Sequence, residues 1–352
     1  MLKKLKVNLT CQSSLSIIAG VEKKHQGLKK ALSKSAPAVG LILLILAITV
    51  GWDLFLSPEM RITAKFFTAR NLGNIFRQQS EYGLLAVGMT FVILSGGIDL
   101  SVGSLLAFSS VISASMIDRN PHSGPAYALL VVAVGLLGAT ALGMGNGLMV
   151  VLGRLQPFIA TLAMMSIARG FAFLWTRGRG IDLIGDEPRL FELLGSDLGP
   201  IPVPALLFIA SVLISLAVLH RTRLGRFIYA IGSNEAAARL SGVPVGKIKV
   251  LVYTICGFLC GLAAMTYTAR NYAGRPDDGL GFELDAIAAV VIGGTNLNGG
   301  RGGVAGTLIG ALIIGVLNNV LGIRGVDPNL QRVLKGAIII AAVLLQRERK
   351  AG

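Results

Sequence analysis

The chain of 352 residues is 53% hydrophobic and 14% charged, with a mean hydropathy of +0.70. Soluble domains carry about 25% charged residues, so this composition excludes a water-soluble fold and calls for a lipid-embedded one. The formal net charge of +15 does not point to nucleic acid, because the Lys and Arg sit in connectors between apolar runs, the placement of cytoplasmic membrane loops.

Residues 1–35 hold eight Lys and no apolar stretch followed by a small-residue cleavage site. Residues 1–36 therefore read as a basic, uncleaved cytoplasmic tail. Apolar segments follow at about 37–56, 82–96, 101–117, 126–152, 157–175, 203–219, 250–269, 284–294, 304–321 and 329–345. They do not alternate, and most approach the ~20 residues that a transmembrane helix needs. The fold class is all-α and polytopic, with about ten spans over 37–346. The second and eighth segments are too short for a regular span, and both end in glycine-rich breaks. The 45 glycines suit close helix packing in lipid.

Loop charge sets orientation. The N-terminal tail, the loop 220–249 with six Lys/Arg, and the tail 347–352 with three are basic and read as cytoplasmic. The segment 177–202 has three Arg against five acids and reads as external. So does 270–285, with Asp277, Asp278, Glu283 and Asp285 against two Arg. Span parity puts 57–79 outside as well, although it holds Arg61, Lys65, Arg70 and Arg77 against one acid.

The two breaks repeat each other. Gly96-Gly97-Ile98-Asp99-Leu100-Ser101-Val102-Gly103 matches Gly293-Gly294-Thr295-Asn296-Leu297-Asn298-Gly299-Gly300. Glycine-interrupted segments in corresponding positions of two halves point to a transport path. Unwound backbone at membrane depth is tolerated only where it is buried in protein or lines a cavity. The expected path set is Gly96, Gly97, Asp99, Ser101, Asn146, Gly293, Gly294, Asn296 and Asn298. Asp99 can equally cap the helix that begins near Ser101. The polar span residues Asn146, Gln156, Thr161, Asn296, Asn298, Asn318 and Asn319 serve either interhelical hydrogen bonds or substrate contacts.

No catalytic constellation is visible. His25, His122 and His220 lie far apart, and no metal-binding motif occurs. The run from Gly242 to Lys247 is one residue short of a phosphate loop, and it lacks the Ser/Thr after the Lys. Cys256 and Cys260 lie one turn apart in an apolar run and read as small packing residues. The chain is expected to be no enzyme and to hold no cofactor or metal.

The loop 220–249 is the most specific signal. Asn234 or Ser233 can cap a short helix, with Glu235 at its positive end. Ala236, Ala237, Ala238, Arg239 and Leu240 favour helix, and Gly242 with Pro244 stops it. Such an element is either a docking knob for a soluble partner or a solvated connector.

The run N-E-A-A-A-R-L-S-G at 234–242 resembles the Glu-Ala-Ala loop of ABC importer permeases. S-G-G-I-D-L-S-V-G-S at 95–104, L-D-A-I-A-A-V at 284–290 and V-I-G-G-T-N-L-N-G-G-R-G-G at 291–303 resemble the permease subunits of ribose-, xylose- and arabinose-type importers, the ribose type above all. The likeness spans about 37–346 and implies a bacterial inner-membrane permease with both termini cytoplasmic. It implies three partners: a cytoplasmic ATPase, a periplasmic sugar-binding protein, and a second permease copy or sister permease. It also implies that ATPase coupling falls on Asn234, Glu235, Ala236, Ala237, Arg239 and Gly242. Other readings stay open: an ABC permease for an amino acid or nucleoside, or a stand-alone ion-coupled transporter, which usually needs more intramembrane acids than Asp99.

Overall fold

The computed structural model describes residue 66 and residues 68–346, apart from 121–123, 184–187 and 200. The expected first span at 37–56 and both tails lie outside the described residues. The remaining nine apolar segments each coincide with a helix. These are α1 (Ala69–Leu94), α2 (Val102–Arg119), α3 (Pro125–Val151), α4 (Pro157–Thr176), α6 (Val203–Arg221), α9 (Val245–Asn271), α10 (Phe282–Ile292), α11 (Val304–Ile323) and α12 (Pro328–Gln346). Short elements join them: α5 (Arg189–Glu192), α7 (Arg223–Ser233) and α8 (Glu235–Leu240), with β1 (Ile181–Asp182) paired to β4 (Ala273–Gly274), and β2 (Asp197–Leu198) to β3 (Ile201–Pro202). Five of the helices are long and apolar enough to cross a membrane on their own, namely α3, α4, α6, α9 and α11.

One expectation is corrected. The segment 82–96 is not a short span. It is the second half of α1, a helix of 26 residues whose first half is polar. Thr68 caps it, its Oγ1 accepting from the Asn71 amide at 3.2 Å. The segment 284–294 is short as expected: α10 has 11 residues, a rise of about 16 Å.

The connectors sort onto two sides. On one, Arg77 bonds Asp197 at 2.6 Å, Arg270 bonds the buried Glu81 at 2.7 Å, Arg169 Nη1 donates to the Pro276 and Asp278 carbonyls at 2.6 Å each, and β1 pairs with β4. This acidic side therefore gathers 177–183, 188–199, 272–281 and the start of α1. Arg77, out of place by loop charge, is balanced there by Asp197. On the other side lie the two breaks and the basic loop 220–249.

Glycines set the closest packing. A Cβ on Gly143 would stand 2.6 Å from the Tyr253 carbonyl oxygen, one on Gly147 2.7 Å from the Val250 Cα, and one on Gly257 2.5 Å from the Ala139 oxygen. Gly143 of α3 thus faces Gly257 of α9, while Gly147 faces Val250 and Gly261 faces Leu136 and Ala139, so small residues along both helices let the two backbones touch. Cys256 and Cys260, on that part of α9, are both buried and free.

Candidate functional site

Both breaks end a helix in the same way. Ser95 and Gly293 are the C-caps of α1 and α10. Gly96 (φ +81°) and Gly294 (φ +84°) then turn left-handed. The Gly96 amide bonds the Ile93 carbonyl and the Gly97 amide that of Val92, at 2.9 and 3.0 Å; the Gly294 amide bonds Val291 and the Thr295 amide Val290, at 2.8 and 3.1 Å. These are paired Schellman closures. They shift the register of the turn alone by one residue: the backbone equates Gly96 with Gly294, while Asp99 and Asn296 keep the match given by the letters. Gly97 is glycine for space, because a Cβ there would stand 2.5 Å from the Tyr253 hydroxyl.

Beyond the turns, Asp99 Oδ1 accepts from the Ser101 amide and Asn296 Oδ1 from the Asn298 amide, each at 2.9 Å. The acidic or amide side chain of the repeat is thus used alike in both halves. Asp99 is fully buried. The Ser101 hydroxyl donates to it at 2.6 Å, and Asn146 Nδ2 reaches Asp99 at 3.3 Å and the Ser101 Oγ at 2.8 Å. Asn146 lies five residues before the end of α3, so Ser101 sits roughly 8 Å inside that end. The chain climbs through the first break and α2 starts at depth. Thr161 of α4 steadies the climb by donating to the Ile98 carbonyl at 3.2 Å.

The breaks converge on the loop 220–249. The Gly300 amide bonds the Leu94 carbonyl at 3.0 Å, joining one break to the other. Gly232, in the last turn of α7, presses on both: a Cβ there would overlap the Leu94 carbonyl oxygen and stand 2.5 Å from the Gly300 nitrogen. Tyr229 of α7 donates to the Gly302 carbonyl at 2.9 Å. Three backbones meet here without intervening side chains. Helix α7 was not expected, although Leu224, Phe227, Ile228 and Ile231 carry helical spacing; it buries Gly225, Ile228 and Ile231.

Asn234, not Ser233, caps α8, its Oδ1 accepting from the Ala237 amide at 2.9 Å. Ala238 anchors this helix, while Ala236, Ala237, Arg239 and Gly242 are exposed. Leu240 is 91% exposed, an apolar tip that the residue pattern did not single out. Glu235 turns inward to its own chain, bonding Lys249 of α9 at 2.6 Å and Arg239 at 3.1 Å. The Lys249 ammonium holds its carboxyl below the usual carboxylate range. The tie is present at neutral pH and is lost as pH falls through that lowered value. Gly242 (φ +81°) closes α8 with a third Schellman pair, its amide on Arg239 and that of Val243 on Ala238, both at 3.1 Å. A Cβ at Gly242 would meet nothing within 4 Å. Gly242→Val is therefore expected to cost about 1–2 kcal/mol of local backbone strain, fraying α8 while the bundle melts as wild type. Proteolysis of the loop beside a thermal melt checks both.

These features define a polytopic α-helical membrane protein in which two glycine-broken helices close on one basic loop carrying an exposed knob. Residues 71–343 match the family described as the permease component of the branched-chain amino acid transport system, and the chain belongs to this family of transport permeases. It is 46% identical over 292 residues to the ribose import permease protein RbsC of Escherichia coli K12, covering 82% of this chain and 89% of that one. It is 44% identical over 332 residues to RbsC of Bacillus subtilis, covering 94% and 98%. The D-allose transport system permease protein AlsC of Escherichia coli K12 is 39% identical over 303 residues, covering 86% and 90%. The resemblance to sugar-importer permeases carried by 95–104, 234–242 and 284–303 is borne out. The chain is a transport permease, not an enzyme.

Proposed function

We propose that the chain is the membrane-spanning subunit of a binding-protein-dependent importer that carries a monosaccharide, ribose or a similar pentose or hexose, into the cytoplasm. The observation that carries this reading is the 44% identity to a ribose import permease across 94% of the chain. The basic side is then cytoplasmic and the acidic side external. A separate ATPase hydrolyses ATP and seats α8 in a cleft, with Leu240 as the apolar tip and Ala236 and Ala237 keeping the knob narrow. A periplasmic sugar-binding protein delivers substrate to the acidic side, and a second permease copy or a sister permease completes the membrane unit. The breaks, with Asp99, Ser101 and Asn146, form the inner part of the path and its joint to α7.

The description of the matched family favours a second reading, import of an amino acid; a binding protein that holds leucine and no sugar would establish it. Single cysteines at 236–240 are expected to crosslink to the ATPase in the assembled complex. Their labelling by an impermeant thiol reagent from outside intact cells would overturn both orientation and docking.

A further inference from the structure

Two adjoining cavities of about 280 and 210 Å³ open between α1, α10, α11 and α12, toward the acidic side and away from the breaks. They share Tyr82, Gln331 and Lys335, and the smaller is walled by Gln78, Gln79 and Asn318. Amides so concentrated among apolar helices are expected to pair with one another. One pair does: Asn71 and Asn319 exchange two hydrogen bonds, at 2.9 and 2.8 Å. The neighbouring amides do not. Gln79 is 3% exposed, and its Nε2, like Asn318 Oδ1, finds no hydrogen-bond partner among the described residues. An unspent donor and an unspent acceptor, both buried, thus belong to residues that line one cavity. The cation shared by both cavities is balanced, because Lys335 Nζ bonds Asp285 at 2.9 Å, while Arg332 at the larger one donates to the Asn329 side-chain oxygen at 3.4 Å. Tyr82 packs on Phe282 at 4.4 Å between ring centroids, adding an apolar flank. A mixed donor and acceptor set beside aromatic surface suits a neutral polyol.

We infer that this cavity is an outer subsite of the transport path, where Gln79 and Asn318 take hydroxyl groups of a free monosaccharide on its way to the breaks. The inference rests on the sugar-import reading above. It makes a distinctive forecast, since replacing an unpaired buried amide by an apolar side chain of similar shape does not weaken the empty protein. In proteoliposomes holding the assembled complex, Gln79→Met combined with Asn318→Leu is expected to lower ATP-driven D-ribose uptake at least tenfold. The melting temperature in detergent should be unchanged or raised, and ATPase stimulation by the loaded binding protein retained. As a second measurement, Gln78→Cys in a Cys11→Ser chain should be labelled by a small thiol reagent and protected by D-ribose during turnover. Wild-type uptake by the double variant, uptake lost together with a lowered melting temperature, or labelling indifferent to D-ribose would each overturn the subsite. A wild-type complex that moves no D-ribose would instead overturn the assignment of the sugar.

Discussion

Gly232→Val is expected to reduce ATP-driven uptake to background while the permease still inserts and α8 still crosslinks to the ATPase. A valine side chain has no room there, since even its Cβ would overlap the Leu94 carbonyl oxygen and crowd the Gly300 amide. Both neighbours are backbone, so neither can rotate away. The strain is relieved only by lifting α7 off the two breaks or by parting the Gly300–Leu94 bond of 3.0 Å. On the proposed function, either movement disconnects the loop assigned to the ATPase from the helices assigned to the path. A rigid joint passes small displacements between packed elements; a loosened one does not. Basal ATP hydrolysis should persist and its stimulation by the loaded binding protein should vanish. Coupled transport at wild-type rate in this variant would remove the junction from the mechanism.

The second large effect is on assembly of the bundle. Gly257→Leu is expected to destabilise the protein by about 3 kcal/mol or more, the upper end of overpacking costs, and to lower its yield in the membrane. A Cβ at this position would stand 2.5 Å from the Ala139 carbonyl oxygen and 2.9 Å from the Gly143 Cα. In lipid, no water-driven gain offsets the separation of α3 from α9. Gly170→Ala is the matched control. It lies within α4 with nothing within 4 Å of a built Cβ, so it should leave stability unchanged or raise it by roughly 0.5–1 kcal/mol through helix propensity. Thermal melts in one detergent separate the two. Equal melting temperatures would show that the α3–α9 contact is not what holds the bundle.

The spans were legible because hydrophobic length is a local property. Where the reading failed, the cause was non-local or conformational. Residues 69–81 carry Asn71, Asn74, Gln78 and Gln79 and so resemble a loop. In the fold they are helical: Asn71 pairs with Asn319 of α11, Asn74 accepts from Arg77 of its own helix, and Gln78 and Gln79 line a cavity. Letters align Gly96 with Gly293, but Ser95 takes the cap that Gly293 takes in the second half, which shifts the match by one residue at the turn and leaves Asp99 matched to Asn296. In 220–249 the stops at Gly242 and Pro244 and the cap at Asn234 were readable. The helical spacing of Leu224, Phe227, Ile228 and Ile231 was there to be read and marks α7. That Leu94, Gly232 and Gly300 meet could not be read at all, since contacts between backbones leave no side-chain pattern. Glu235 shows the same limit: a charge at a helix start suggests an outside partner, and only the fold brings Lys249 to it.

The central claim is that this permease moves a sugar inward on ATP hydrolysed by a separate ATPase docked on its basic loop. Its most direct test is uptake of labelled D-ribose by proteoliposomes holding the permease and its ATPase, with the loaded binding protein outside and ATP within. The account predicts accumulation that requires ATP and the binding protein, persists when proton and sodium gradients are collapsed, and stops when residues 234–242 are replaced by a glycine-serine segment. Uptake that ignores ATP and follows an ion gradient would contradict it.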